Sequence, residues 1–333
     1  MVKSIKMKDI AAELDISVVS VSKALNNKEG ISMELREKIL QTANRMGYKS
    51  KDSFNSNPNN STIGIIIADY FLSPSPAFYW SVYEELVHAL KDRGYYSILE
   101  IASPNTSNSI PSFYTTKKVD GVIVVGYVPP AYLKNLQRYN MPLIMLDFFN
   151  ENVKGISIMP DNNISTYKIT NYLIEQGHTK IGFVGNILAS TNIMDRYLGY
   201  YKSLLEHRIP LREDWVIPDR GDDMNIFHQF NLPKEMPTAF VCNCDQTAYW
   251  LVDYLKEKGY KIPDDISITG FYNYSYATMC KPPLTTVNVD IKDLAYLAVR
   301  ALLNILKYKK VASDIILAYG NIIKRHSVKA PQH

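Results

Sequence analysis

Residues 7–26, Met-Lys-Asp-Ile-Ala-Ala-Glu-Leu-Asp-Ile-Ser-Val-Val-Ser-Val-Ser-Lys-Ala-Leu-Asn, read as helix, tight turn, helix. Ile5, Ile10, Ala11 and Leu14 fall at helical spacing and would face one small core. Asp15-Ile16-Ser17 breaks that period. Ser17 has the side chain of an N-cap, an oxygen able to accept from a backbone N–H two or three residues on. In the helix that follows, Val21, Ala24 and Leu25 point inward, which leaves Val18, Val19, Ser22 and Lys23 outside. Ser32 caps a third helix with Leu35, Ile39, Ala43 and Met46 on its apolar face, and Gly47 is a suitable stop. Three short helices with a tight second turn match the docking mode in which a second helix presents its first residues to base edges in the major groove.

Charge agrees modestly. The chain has 333 residues and a formal net charge of +4, of which +3 lies in residues 1–50. A small surplus of that size usually marks a solvated face, so the helix pattern carries more weight than the charge.

Asp9-Ile-Ala-x-x-Leu-x-Ile-Ser-x-x-x-Val-Ser-Lys-Ala-Leu-Asn26, followed by Ile31-Ser-x-x-x-Arg-x-Lys-Ile and Gly47-Tyr48, resembles the head of the lactose-repressor (LacI) family. The resemblance implies that Val18, Val19 and Lys23 lie at base-reading positions. It places Ser17, Ser20, Ser22, Asn26 and Ser32 at phosphate-facing ones. A lysine can donate to guanine O6 and N7, and valines can make only apolar contacts, for which thymine methyls are suited. Hydroxyls and an amide on phosphates set register without reading sequence.

The remainder is long enough for one or two larger domains, and hydrophobic residues make up 46% of the chain. No run approaches eighteen apolar residues, so no membrane span and no membrane partner are expected. The start enters a polar helix with no apolar signal-peptide core, so a cytoplasmic protein is expected. Cys242, Cys244 and Cys280 suit a reducing compartment, and no second pair or closely spaced histidines suggest a metal. There is no Gly-x-Gly-x-x-Gly after the first strand and no Walker A motif. His88, His178, His207, His228, His326 and His333 show no triad spacing. His178, after Gly177 at a helix end, reads as a cap or dipole partner. Neither an enzyme nor a cofactor is expected.

Residues 50–61 are polar and turn-rich, a linker composition. The resemblance implies a hinge helix here, but Ser50-Lys51, Phe54-Asn55 and Asn57 replace the family's residues and Pro58 would cut a helix short. From Thr62 onward, buried strands alternate with helices. Strands are expected at 63–67, 96–101, 119–125, 142–146, 180–184, 238–242 and 266–269. Helices are expected at 79–93, 164–176, 196–206, 247–258 and 293–306. Such alternation means parallel doubly wound sheets.

Leu173–Gly185, Asp195-Arg-Tyr-Leu-Gly199, Ile262–Phe271 and Pro282-Pro-Leu-Thr-Thr-Val287 are similar to the sensor body of the same family, which is periplasmic-binding-protein-like. The implied organisation is an all-α helix-turn-helix head at 1–49, a linker or degenerate hinge at 50–61, and a two-lobed α/β body at 62–333. One lobe spans about 62–160 plus 291–318, the other about 161–289 plus 319–330. The crossovers fall near residues 160, 289 and 319. A small-molecule effector would bind between the lobes, outside the carboxyl ends of the strands. The implied function is a homodimeric transcription regulator on a near-palindromic double-stranded DNA operator. A solute-binding transport protein is the alternative class.

The effector-contacting residues expected are Asp69, Tyr70, Phe78 and Tyr79 after the first strand, Asp147 at a strand end, Arg196, Asp223, Cys244 and Tyr272. The resemblance makes Arg196 the ligand-binding arginine, and a guanidinium fork suits hydroxyl, carboxylate or phosphate. Against this, Phe78 and Tyr79 could simply open a helix, and Arg196 could pair only with Asp195. Three departures weaken a sugar clamp. Tyr272 stands where the family has Asp, Cys244 where it has Asn, and Asp223 where it has an aromatic residue. A sugar or sugar derivative is the first expectation. A less hydroxylated ligand or a protein co-regulator is the second.

Overall fold

The computed structural model describes residues 6–25, 30–46, 61–68, 77–102, 112–115, 119–138, 141–221, 225–309 and 315–331. The chain divides into two compact units, one holding the first three helices and the other both sheets.

The first unit contains α1 (Met7–Leu14), α2 (Val18–Leu25) and α3 (Met33–Arg45). Asp15 ends α1 in the left-handed region, φ 52°, with its N–H returned to the Ala11 carbonyl. Ser17 Oγ accepts from Ser20 N at 3.0 Å and Ser32 Oγ from Leu35 N at 3.2 Å, the capping bonds expected of both serines. Ile10, Ala11, Val21, Ala24, Ile39 and Ala43 form the core, with Leu14, Leu25, Leu35 and Met46 at its margin.

In the second unit, the first sheet begins with β1 (Thr62–Ala68), α4 (Ala77–Lys91), β2 (Tyr96–Ala102), α5 (Ser112–Thr115) and β3 (Gly121–Val125). It continues through α6 (Pro130–Gln137), β4 (Leu143–Leu146) and β5 (Ile156–Pro160). The chain then enters the second sheet through α7 (Asn162–Glu175), β6 (Ile181–Val184), α8 (Thr191–Glu206), β7 (Val216–Ile217), β8 (Ala239–Cys242), α9 (Asp245–Glu257), β9 (Ser267–Tyr272), α10 (Ser275–Met279) and β10 (Thr285–Asn288). It returns through α11 (Ile291–Tyr308) to β11 (Ile315–Ala318) in the first sheet and ends with β12 (Asn321–Ile323) in the second. The strand orders are β11-β5-β4-β3-β1-β2 and β12-β10-β9-β8-β6-β7.

All pairings are parallel except β10 with β12, so the doubly wound architecture carries one antiparallel edge strand. β1, β3, β4 and β5 are almost wholly buried, as strands covered on both faces must be. In each sheet the strand order reverses beside the first strand, and this opens a crevice at the carboxyl ends.

The helices begin earlier than hydrophobic spacing suggested. Asp161 caps α7 through Ile164 N at 2.9 Å, Ser190 caps α8 through Ile193 N at 3.3 Å, and Asp290 caps α11 through Asp293 N at 3.0 Å. Their first turns are polar because they line the crevice.

Candidate functional site

Two surfaces carry the chemistry. On α2, Val21 and Ala24 face the head core. Val18 and Val19 are 46% and 64% exposed, so they take no part in that core. Ser20, Ser22 and Lys23 are half-buried beside them, and Ser17 and Ser32 lie at the two caps. Ser17 Oγ also bonds Ser20 Oγ at 2.9 Å. An apolar pair at the start of the helix with a lysine one turn on is a surface able to meet thymine methyls and a guanine edge. Asn26 lies outside the described residues, as do 47–60 and thus nearly all of the linker.

The second surface is the crevice between the sheets, and Arg196 is its centre. The residue is 2% exposed, on the buried side of α8 with Asn192, Ile193 and Tyr200. Its Nε donates to Asn162 Oδ1 at 2.8 Å, Nη1 to the Asn243 carbonyl at 2.7 Å, and Nη2 to Tyr272 Oη at 2.6 Å. The guanidinium carbon lies 4.0 Å from the Phe271 ring centre and 4.4 Å from that of Tyr272. Burial works against its charge, but Tyr272 and Asp147 outweigh burial and hold Arg196 above its ordinary value. Arg196 makes no ion pair with Asp195.

Asp147 faces Arg196 from the end of β4, in the left-handed region with φ 65°. Its Oδ2 accepts from Tyr79 Oη at 2.7 Å and its Oδ1 from Asn192 Nδ2 at 3.1 Å. Burial pushes this carboxyl up, and the charge of Arg196 and the hydrogen bonds oppose the rise. Phe78 and Tyr79 do open α4, and Phe78 also lies 4.2 Å from Tyr272 and 6.1 Å from Tyr274, centre to centre. The helical and the site reading of this pair are therefore compatible.

Tyr272 and Asn273 have φ of 96° and 60°, a conformation that disfavours bulky side chains. The strand end is braced from beneath. Asp245 accepts from Tyr274 N at 3.1 Å and from Thr286 Oγ1 at 2.6 Å, and Arg325 Nη2 donates to Asn273 Oδ1 at 2.6 Å. Cys244 caps α9, its Sγ 3.5 Å from Thr247 N and 3.9 Å from Arg220 Nη2. All three cysteines are free and buried.

Asp69, Tyr70 and Asp223 lie outside the described residues. Sequence reasoning missed Asn162, Asn192, Asn243 and the pair Asp219–Arg220. Asp219 is fully buried, 2.8 Å from Arg220 Nη2, and also accepts from Asn243 Nδ2 at 2.7 Å and Thr247 Oγ1 at 2.6 Å. These bonds and the Arg220 charge hold its carboxyl below the usual range despite burial. The only signal was a polar Asp-Arg-Gly after a two-residue strand. A cavity of about 360 Å³ opens beside Tyr272, with Ser81, Glu85, Asn273, Val289 and Asp290 among its lining residues.

His178 caps α7 through its backbone N–H, which donates to the Leu173 carbonyl at 3.1 Å, but its ring is not a helix-dipole partner. Its Nδ1 bonds Thr238 Oγ1 at 2.8 Å, and its Nε2 lies 3.1 Å from Ser267 Oγ and 3.0 Å from the Lys329 carbonyl. The ring ties α7 to β9 and to the C-terminal segment. Burial lowers its pKa, against the opposing hydrogen bond to the Lys329 carbonyl, and so favours the neutral ring. Among the described residues no group of histidine, cysteine or acidic side chains could hold a metal, and no helix is long and apolar enough to cross a membrane.

A three-helix head with a helix-turn-helix, ahead of a two-sheet α/β body with a buried guanidinium in its crevice, is the architecture of a ligand-responsive DNA-binding regulator. Residues 6–51 match the family described as "Bacterial regulatory proteins, lacI family", and residues 170–328 match "Periplasmic binding protein-like domain". The chain is 27% identical over 339 residues to the HTH-type transcriptional repressor PurR of Histophilus somni (strain 129Pt), covering 97% of this chain and 98% of that protein. The lac repressor dimer bound to operator and the anti-inducer ONPF superposes with TM-score 0.69 at 18% identity, covering 98% of this chain and 100% of that one. The regulator CelR in complex with cellobiose gives TM-score 0.68 at 18% identity, covering 97% and 99%. The chain therefore carries a DNA-binding domain of the lacI family and a periplasmic-binding-protein-like domain, the two parts of LacI-family transcription regulators.

Proposed function

We propose that this chain is a cytoplasmic homodimeric repressor that binds a near-palindromic operator and is switched by a small molecule held between its two sheets. The proposed divisions are a head at 1–49, a linker at 50–61 and a body from 62. Two-fold symmetry follows from size, because one short head makes too small an interface for specific control. The effector would shift the balance between arrangements of the body that differ in how they hold the heads.

The observation that carries the effector reading is Arg196. It is a fully buried guanidinium at the carboxyl ends of the second sheet, facing Asp147 of the first. A sugar or sugar derivative is the first ligand class. The cellobiose named for CelR supports it. A second reading, a less hydroxylated ligand or a protein co-regulator, is favoured by Tyr272, whose phenol already occupies Arg196 Nη2.

The test is selection of genomic fragments by the purified chain, followed by gel shift at moderate salt. Retention of specific fragments that contain an inverted repeat supports the regulator. Absence of any specific fragment overturns it. Calorimetric binding of a neutral disaccharide, undiminished in Arg196→Ala, would overturn the cleft assignment.

A further inference from the structure

We infer that Tyr272 is a built-in occupant of the cleft, and that the molecule able to replace it is a planar aromatic ring carrying a hydroxyl or carboxylate acceptor for Arg196. This rests on the reading of the cleft as the effector site. The phenol behaves as a bound ligand would. Its oxygen accepts a hydrogen bond from Arg196 Nη2 at 2.6 Å. Its ring packs on Phe78 at 4.2 Å with an interplanar angle of 43°, and meets Phe271 and Tyr274 edge-on at 5.3 and 6.2 Å. Aromatic contacts of this geometry favour another flat ring over a puckered polyol.

The backbone supports the same conclusion. Tyr272 keeps φ 96° only because its neighbours over-determine it: Asp245 holds the Tyr274 N–H, and Arg325 and Asn288 hold the Asn273 side chain. Strain of this kind places the ring against Arg196 at the expense of local comfort. The polar accounting points the same way. Each of the three Arg196 nitrogens already has a protein acceptor. A neutral polyol entering here would forfeit the tilted and edge-on ring contacts and replace one hydroxyl acceptor by another. A phenol keeps both interactions. An aromatic carboxylate keeps the ring contacts and gives the guanidinium a charged acceptor, which is the stronger bond.

The test removes the occupant and returns it as a free molecule. Glycine suits the backbone at position 272, so Tyr272→Gly leaves a hole the size of a tyrosine ring, and p-cresol is the tyrosine side chain. Expected is a melting temperature several degrees below wild type, raised saturably by millimolar p-cresol and less by toluene. In Tyr272→Gly/Arg196→Met the two compounds should become equivalent. In wild type, where p-cresol must first displace the tethered phenol, the rise should be smaller and need a higher concentration. Three results would each overturn the proposal: an unchanged melting temperature in Tyr272→Gly, no saturable rise with p-cresol, or the same rise in wild type. If Tyr272→Gly does not fold, Tyr272→Phe and Arg196→Met replace it. Their destabilisations should be clearly sub-additive in the double variant, and full additivity overturns the inference. None of these measurements involves DNA, so their failure leaves the regulator reading standing, and a failed gel shift leaves them standing.

Discussion

Asn192 on α8 donates through Nδ2 both to the backbone carbonyl of Asp147, at 2.8 Å, and to its Oδ1, at 3.1 Å. One amide thus fastens a helix of the second sheet to a strand end of the first. Both partners are buried, so neither can fall back on water. Asn192→Leu keeps the shape and removes the donors. It should destabilise the folded chain by roughly 1–3 kcal/mol, the cost of leaving a buried acceptor unmet. Chemical denaturation of the body at neutral pH measures this, and a loss below about 0.5 kcal/mol would mean that the pair contributes nothing to holding the two sheets.

Asp245 gives a pH dependence with a definite sign. Burial raises its carboxyl to about 7, while Thr286 Oγ1, the N–H groups of Tyr274 and Asn273, and the Arg325 charge oppose that rise. An unfolded aspartate titrates near 3.9. Between those two values the folded chain holds a proton that the unfolded chain has released. The favourable contribution is therefore complete below about pH 4, shrinks as pH rises toward 7, and is flat above. Asp245→Asn, whose amide can still accept from Tyr274 N and donate to Thr286 Oγ1, lacks this titration. Its stability relative to wild type should rise across the window by up to about 4 kcal/mol, an upper bound. Melting curves at half-unit steps from pH 4 to 8 would show it, and parallel curves for the two proteins would contradict it.

The fold was legible wherever apolar periodicity was long. β1, the central strands and the core faces of α1 to α3 follow from runs such as Ile63–Ile67 and Val21, Ala24, Leu25. Short or polar elements were not. β7 has two residues, β10 is half threonine, and α6 opens on a proline. The first turns of α7, α8 and α9 are polar because they end in the crevice, so their starts were read two to five residues late from apolar spacing alone. The same fact explains the site. Arg196, Asp147 and Tyr272 were named from the resemblance, whereas Asn162, Asn192 and Asp219 gave no pattern, because a residue that satisfies another's hydrogen bonds is defined by its neighbour in space.

Gly199 lets α8 lie directly against the backbone of α7. A Cβ there would sit 2.2 Å from the Asn163 carbonyl oxygen and 3.0 Å from Tyr167 N, both backbone atoms that no rotamer change can move. Gly199→Ala should force the two helices apart and cost about 1–3 kcal/mol, against the small gain alanine ordinarily brings to a helix. Since Asn162 and Arg196 ride on these helices, their 2.8 Å bond should lengthen too. A thermal shift to higher temperature in Gly199→Ala would show that the helices separate without strain.

The head makes its own prediction. Val19 is 64% exposed at the start of α2 and Lys23 lies one turn further on the same helix. Neither belongs to the buried core of the head, so changes at both should leave folding intact and act on DNA alone. Lys23→Ala should reduce discrimination at one operator base pair by roughly 1–3 kcal/mol, whereas loss of a phosphate contact would weaken all sequences alike and lower the salt slope by about one. Val19→Ser should weaken binding selectively where a thymine methyl faces the helix, and replacing that thymine by uracil should remove most of the difference between Val19→Ser and wild type. Titrations of single-base operator variants at two salt concentrations separate these outcomes, and uniform weakening by both substitutions would reassign the start of α2 from reading bases to holding the backbone.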